Sequence, residues 1–242
     1  MNYENFHRNS TLQKKIINKY NFTYRNYLSV ISSYLDRIFK ILDIGCGTGT
    51  IDFFLAKKCK NVTGIDISEK AIKLCKENSK IFRLDYLTNF YKVNFPKEKI
   101  EKKFDSIIFF EVLEHVKEEN FCLKIIHDSL FENGLFFISV PSKNSPFIKT
   151  KMLLNFDKEV GHLRRYDPEL LKNKLYKNGF TVLKCIKTGG VLRDILFLNK
   201  KFSFIIKILN NSIVLSTFFT IIDNFLLKIF GESNIILIAQ KK

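Results

Sequence analysis

Residues 39–50 read FKILDIGCGTGT. The mostly apolar run 38–42 is too short for a helix and reads as a buried strand. It ends in an acid and three glycines at alternate positions, Asp43, Gly45, Gly47 and Gly49. The glycines read as a tight turn. TIDFFLAKK follows them and reads as a helix. Strand, glycine turn and helix form the opening unit of a doubly wound α/β sheet, in which ligands bind beyond the carboxyl ends of the strands.

The spacing is DxGxGxG, not the GxGxxG that seats a dinucleotide pyrophosphate on a helix N-terminus. After its strand, DIGCGTGT resembles the loop of the class I S-adenosylmethionine-dependent methyltransferases. The resemblance implies that the loop packs against the amino-acid end of the cofactor, which has no phosphate. Bare glycine backbone permits that approach. It also implies a Rossmann-like, doubly wound seven-stranded sheet with the last strand antiparallel, to which this sequence adds N-terminal helices and, as a departure from the compact pattern, a helical insert before the last strand.

The chain has 242 residues, 46% of them hydrophobic, enough for one domain with a substantial core. Its parts read as a helical arm (1–37), a cofactor-binding core (38–142), an acceptor-side region (143–190), an apolar helical insert (191–231) and a last strand (232–242). The formal net charge is +16. An acidic partner such as nucleic acid or anionic lipid would explain it. A/T-rich codon usage is the preferred explanation, since the lysines are scattered and Asn, Ile and Phe are also abundant. Five cysteines form no CxxC pair, which fits a reducing, cytoplasmic compartment. The opening MNYENFHRNS has no apolar signal core, so secretion is not expected.

Within the arm, apolar and aromatic residues from Leu12 to Phe39 recur at helical spacing and predict two helices. The resemblance allows Arg25 to reach the cofactor carboxylate; otherwise it is a solvated helix residue. NVTGIDIS (61–68) is a short strand ending in an acid, and in nucleoside-binding folds such an acid accepts hydrogen bonds from the ribose hydroxyls. Ser68 supplies the N-cap of the next helix, which leaves Asp66 for the ribose. Residues 81–84 read as a third strand ending at Asp85 and Tyr86. The resemblance places an acid there at the adenine amino group, with a neighbouring side chain on the ring. It thus assigns to the cofactor Asp43, Gly45, Cys46, Gly47, Gly49, Asp66, Ile67, Asp85, Tyr86 and Glu111. Residues 88–103 read as a polar, basic loop.

FDSIIFFEVLEHV (104–116) is a buried fourth strand running into a second motif. If the chain turns helical there, Glu111, Glu114 and His115 share one face. EVLEHV resembles the ubiquinone-biosynthesis type of O-methyltransferase, and small-RNA 2′-O-methyltransferases share a related ExxEH. The resemblance implies a divalent cation, such as Mg²⁺ or Mn²⁺, held by Glu111, Glu114, His115 and the later His162 of VGHLRRY. It implies catalytic roles for Glu111, His115 and His162. The alternatives are that Glu111 lines the cofactor and that His115 is a lone general base or bonds the next loop. A phenol can lose its proton to histidine, whereas a sugar hydroxyl gains more from a metal. No [DNS]PP[YFW] or Pro-Cys motif follows strand four, and the resemblance points to oxygen as the acceptor atom, with nitrogen and carbon left open.

Residues 117–142 read as an amphipathic helix, a Glu-Asn-Gly turn and a fifth strand ending at Pro141 and Ser142. Asp167-Pro168 reads as a helix start. Arg164 and Arg165 are candidates to grip an anionic acceptor or to form structural salt bridges. GFTVLKCIKTG and SNIILIAQKK read as the sixth and last strands. The insert reads as two amphipathic helices that lie on a membrane, cap the acceptor pocket or form a dimer. The expected activity is O-methylation of a small lipophilic or lipid-linked acceptor, a quinone precursor or glycan intermediate. An RNA 2′-O-methyltransferase and a non-catalytic cofactor-binding scaffold are the alternatives.

Overall fold

The computed structural model describes residues 7, 9–98 and 100–242. Most of the opening read as lacking a signal core, and Lys99, lie outside the described residues. Seven strands form one sheet in the order β3-β2-β1-β4-β5-β7-β6. They are β1 (Lys40–Ile44), β2 (Asn61–Asp66), β3 (Thr88–Lys92), β4 (Phe104–Phe110), β5 (Leu130–Pro141), β6 (Phe180–Thr188) and β7 (Asn234–Lys241). β7 runs antiparallel to both β5 and β6, and the other pairings are parallel. The expected seven-stranded doubly wound sheet with an antiparallel last strand is therefore present.

Helix α1 (Arg25–Ser32) precedes the sheet, and α2 (Thr50–Ala56), α3 (Glu69–Ile81) and α4 (Glu119–Asp128) connect its strands. α5 (Lys151–Val160) and α6 (Pro168–Lys177) precede β6; α7 (Val191–Leu198), α8 (Ser203–Asn211) and α9 (Ile213–Phe230) separate β6 from β7. Alternation along the strands builds the two layers. Leu42, Ile107, Phe109, Phe136, Ile138 and Leu237 face one core. Ile41, Ile108, Leu135, Phe137, Ile236 and Ile238 face the other, beneath α1 and α2. The same parity turns Asp43 of β1, Ser139 of β5 and Asn234 of β7 to the second side.

β1 and β4 are neighbours whose connections leave in opposite directions, so the loops after them open a crevice at one edge of the sheet. The glycine turn and EVLEHV stand in those two loops.

Four expectations need correction. The third strand is Thr88–Lys92, not 81–84; Ile81 ends α3 and Phe82 is its C-cap. Asn89 and Lys92 interrupt the apolar pattern of this edge strand, which gives it the look of a loop in sequence. The arm has one α-helix and a 3₁₀ turn at Leu35–Arg37 among the described residues, not two helices. Asn18 Oδ1 accepts from Tyr20 N–H and Asn21 Oδ1 from Tyr24 N–H, and such side-chain turns compete with helix. The insert holds three α-helices, broken by a 3₁₀ turn at Lys200–Phe202. The Glu-Asn-Gly turn is a bulged stretch inside β5: Phe104 pairs with Leu130, but Ser106 pairs with Leu135.

Candidate active site

The glycine loop is fixed by backbone needs. Gly45, Gly47 and Gly49 have φ of 78°, 55° and 77°, a region that costs an L-residue roughly 1–2 kcal/mol. A Cβ on Gly45 would stand 2.4 Å from Val112 Cγ2, so the loops after β1 and β4 touch there. Gly45 and Cys46 N–H both donate to Ile65 O, at 2.8 and 3.1 Å. From the arm, Gln13 Nε2 donates to Thr48 O at 2.7 Å.

Asp66, at the carboxyl end of β2, is held by two backbone donors. Its Oδ2 accepts from Gly47 N–H at 2.9 Å and its Oδ1 from Ser68 N–H at 2.8 Å. Each oxygen keeps a further lone pair for a hydroxyl, and its link to the loop fixes its aim. Ser68 also caps α3 by accepting from Ala71 N–H. Ile67 is half-buried beside Asp66.

Asp43 and Cys46 face inward behind the loop. Burial, reinforced by Asp52 and then Asp66, raises the Asp43 carboxyl well above the ordinary range. Burial likewise raises Asp52. The two carboxyls face each other and favour sharing a proton. Burial and the nearby Cys75 thiol raise Cys46. Asp43 still lies within the sheet, paired with Gly64 and Ile108, so its side chain supports the turn from behind.

Asp85 and Tyr86 are misplaced for the cofactor. They precede β3, where Leu87 O accepts from Val62 N–H at the start of β2. That is the amino end of the strands, opposite Asp66. Asp85 is exposed and Tyr86 is 75% exposed. Lys92 is the residue that pairs with Asp66 at the carboxyl end.

Glu111 is the first residue past β4, at φ 57°, and this left-handed residue stops an α-helix from starting. Leu113–His115 forms only a 3₁₀ turn, so the predicted helical face does not exist. Glu111 Oε1 accepts from Ser139 Oγ–H at 2.7 Å and from Asn234 Nδ2–H at 2.6 Å. Its own N–H donates to Ser139 Oγ at 3.2 Å. Tyr27 stacks on Phe110 beside this group, with ring centroids 4.7 Å apart. Burial, then the charge of Glu111, pushes its phenol well above the usual range.

Glu114, His115 and His162 converge instead. One ligand atom from each lies within 4.8 Å of the others, and Glu111 is outside the group. Glu114 Oε1 is 3.7 Å from His162 Nε2 and 4.0 Å from His115 Nε2. Glu114 is fully buried, and both its oxygens lack a hydrogen-bond donor among the described residues. Burial, reinforced by Glu111, raises its carboxyl well above the ordinary range.

The two imidazoles are oriented by their other nitrogens. His162 Nδ1 meets Asp157 Oδ1 at 2.8 Å, and a carboxylate there requires the proton on Nδ1. His115 Nδ1 meets Gly161 O at 3.1 Å, with the same consequence. Both Nε2 atoms are thereby left as acceptors toward Glu114. Burial, reinforced by His162 and opposed by the Gly161 bond, lowers the pKa of His115. The chain reaches this geometry because Gly161, at φ 78°, ends α5: Gly161 and His162 N–H both donate to Asp157 O at 2.9 Å.

Arg165 forks onto Asp157, from Nε at 2.8 Å and Nη2 at 2.7 Å. Burial alone would raise Asp157; the hydrogen bonds from His162 and Arg165, with the charge of Arg165, hold it at about 2. Arg164 pairs with Glu119 at 2.6 Å, and Arg25 donates to Thr217 Oγ1 at 2.9 Å. All three arginines thus make protein contacts instead of standing open to an anion or the cofactor. Sequence reasoning missed Asp157, Ser139 and Asn234. Only Asp157 left a signal, an acid four residues before a helix-ending glycine.

A family model described as a methyltransferase domain matches residues 35–189. Relatives include the ubiquinone biosynthesis O-methyltransferase of Pelagibacter ubique, 38% identical over 105 residues, or 43% of this chain and 42% of that protein. The enzyme of the same description from Bartonella quintana is 29% identical over 153 residues, 60% of this chain and 61% of that one. These matches span about half the length of the curated relatives. Among solved structures, magnesium protoporphyrin IX methyltransferase from Synechocystis PCC 6803 with bound S-adenosylhomocysteine is similar at TM-score 0.62 and 16% identity, covering 99% of this chain and 94% of that one. A methyltransferase from Archaeoglobus fulgidus is similar at 0.61 and 22%, covering 90% and 93%. The chain belongs to the class I S-adenosylmethionine-dependent methyltransferases.

Proposed function

We propose that this methyltransferase methylates a hydroxyl oxygen of a small lipophilic acceptor of the quinone-precursor class, with His115 as general base. One observation carries the reading: His115 and His162 each have Nδ1 tied to an acceptor and Nε2 turned to the buried carboxyl of Glu114. The names of the relatives support the acceptor class.

The residues fit the cofactor. Gly45 and Gly47 offer backbone without side chains at the crevice, and Asp66 holds lone pairs toward a ribose. Bound there, the cofactor supplies an electrophilic sulfonium methyl. Burial lowers the pKa of His115 and favours the neutral imidazole, whose Nε2 would accept the proton of the acceptor hydroxyl. The imidazolium that results keeps its Nδ1–H bond to Gly161 O and stands beside the Glu114 carboxyl. Glu111, gripped by Ser139 and Asn234, walls the site on the cofactor side.

The orphaned Glu114 carboxyl and the two Nε2 atoms also fit a divalent cation, Mg²⁺ or Mn²⁺, with Asp157 as the outer partner of His162. Adjacent ligand atoms around such an octahedral ion stand roughly 3 Å apart, inside the spacings here, so the three side chains would have to close on it. Such an ion would make the acceptor hydroxyl more acidic. The two Nε2 atoms would then be ligands, and the proton would leave by another route.

The test is transfer of labelled methyl to a prenylated catechol and to total RNA, with added Mn²⁺ or with chelator. Label in the catechol, lost in His115→Ala, is expected. Label in RNA alone would replace this reading with RNA 2′-O-methylation.

A further inference from the structure

Helix α9 is polar inside and apolar outside. Its inward stripe, Ser216, Thr220 and Asp223, is buried, and its outward stripe, Val214, Phe218, Ile221, Phe225 and Ile229, is between 57% and 76% exposed. At ~100° per residue the two stripes lie on opposite sides of the helix. A surface helix of a soluble protein has the reverse arrangement. The inward stripe is occupied by specific bonds. Ser216 Oγ–H donates to Tyr20 O at 2.6 Å, and Asp223 accepts from Gly190 and Arg193 N–H at 2.9 and 3.0 Å. On α8, Phe204 and Ile208 extend the apolar surface, at 61% and 52% exposed.

We propose that the outward face of α8 and α9 docks on an anionic lipid bilayer surface. Charge selects this occupant. The only charged side chain between Ile213 and Leu227 is Asp223, which is buried. Exposed Lys201, Lys207 and Lys228 stand at the margins of the apolar face. The whole chain carries +16, so a second copy would bring the same charge to this face, whereas acidic headgroups complement it. α9 has the length and composition of a spanning helix. Its polar stripe, however, is bonded to Tyr20, Gly190 and Arg193, so it lies flat, with aromatic and aliphatic side chains entering the headgroup boundary. This inference is independent of the acceptor.

The experiment is flotation of the full chain with phosphatidylcholine vesicles, with and without phosphatidylglycerol. Wild type should float with the mixed vesicles. The triple variant Phe218→Ser, Ile221→Ser, Phe225→Ser should partition at least about tenfold less while keeping its thermal midpoint. Phe121→Ser, an exposed site on α4, should behave as wild type. Lys201→Glu, Lys207→Glu, Lys228→Glu together should remove the preference for the anionic lipid. Equal flotation of the triple variant, or no flotation of wild type, would overturn the proposal. A concentration-dependent dimer lost in the triple variant, without vesicle binding, would also overturn it and give the face to a second copy.

Discussion

Glu114 Oε1 stands 3.7 Å from His162 Nε2, fully buried, with no hydrogen-bond donor on either oxygen among the described residues. A buried carboxylate in that state is costly. Burial, reinforced by Glu111, shifts the carboxyl toward its protonated form and so relieves the cost, and a bound cation would relieve it by replacing the proton.

The sign of the pH effect follows. A carboxyl whose native pKa lies above its unfolded value of about 4.3 adds stability below that value and loses it as pH rises through the raised one. In chelator, wild type should therefore lose stability relative to Glu114→Gln as pH rises from 5 upward, in paired thermal melts. Added Mn²⁺ should restore wild type and leave the variant unmoved. Parallel curves for the two proteins would argue against the buried carboxyl as described.

Asp157 works in the opposite direction. Its pKa is held at about 2, so its contribution is present above about 3.9 and fades as pH falls toward 2. Asp157→Asn should cost about 1–2 kcal/mol at pH 7, allowing for its partial exposure, with the gap closing in acid. Because Asp157 orients His162, kcat/KM should also fall about 10–100-fold. Denaturant titration and steady-state kinetics on the same variant check both.

Gly45→Ala meets two obstacles, a positive φ of 78° and Val112 Cγ2 at 2.4 Å. We expect a loss of about 2–4 kcal/mol. Val112→Ala in the same chain should recover the steric part only, because the backbone strain remains. Full recovery in a double-mutant cycle would mean that strain at Gly45 is negligible.

The local patterns legible in sequence were those whose meaning does not depend on neighbours. The glycine turn, Asp66 after β2, Ser68 as a cap and the alternation of β7 all read directly. Residues 81–86 misled because an apolar pair ending a helix looks like a short strand, and this moved Asp85 and Tyr86 to the wrong end of the sheet. EVLEHV misled through a backbone angle: Glu111 at φ 57° breaks the helical spacing and sends its carboxylate to Ser139 and Asn234. Those partners come from β5 and β7, and only the assembled sheet brings them together. Asp157 meets His162 through a helix C-cap, a local device that the spacing from Asp157 to Gly161 carries in the sequence.

The most direct measurement is calorimetric titration with S-adenosylhomocysteine of wild type, Asp66→Asn and Asp66→Ala, with thermal melts to show that each is folded. Wild type should bind one equivalent, Asp66→Asn should bind more weakly, and Asp66→Ala should weaken by at least about tenfold, since a lost hydrogen bond to a charged group costs about 1.5–3 kcal/mol. Equal affinity in all three folded proteins, or no binding by wild type, would contradict a cofactor seat formed by the glycine loop and Asp66.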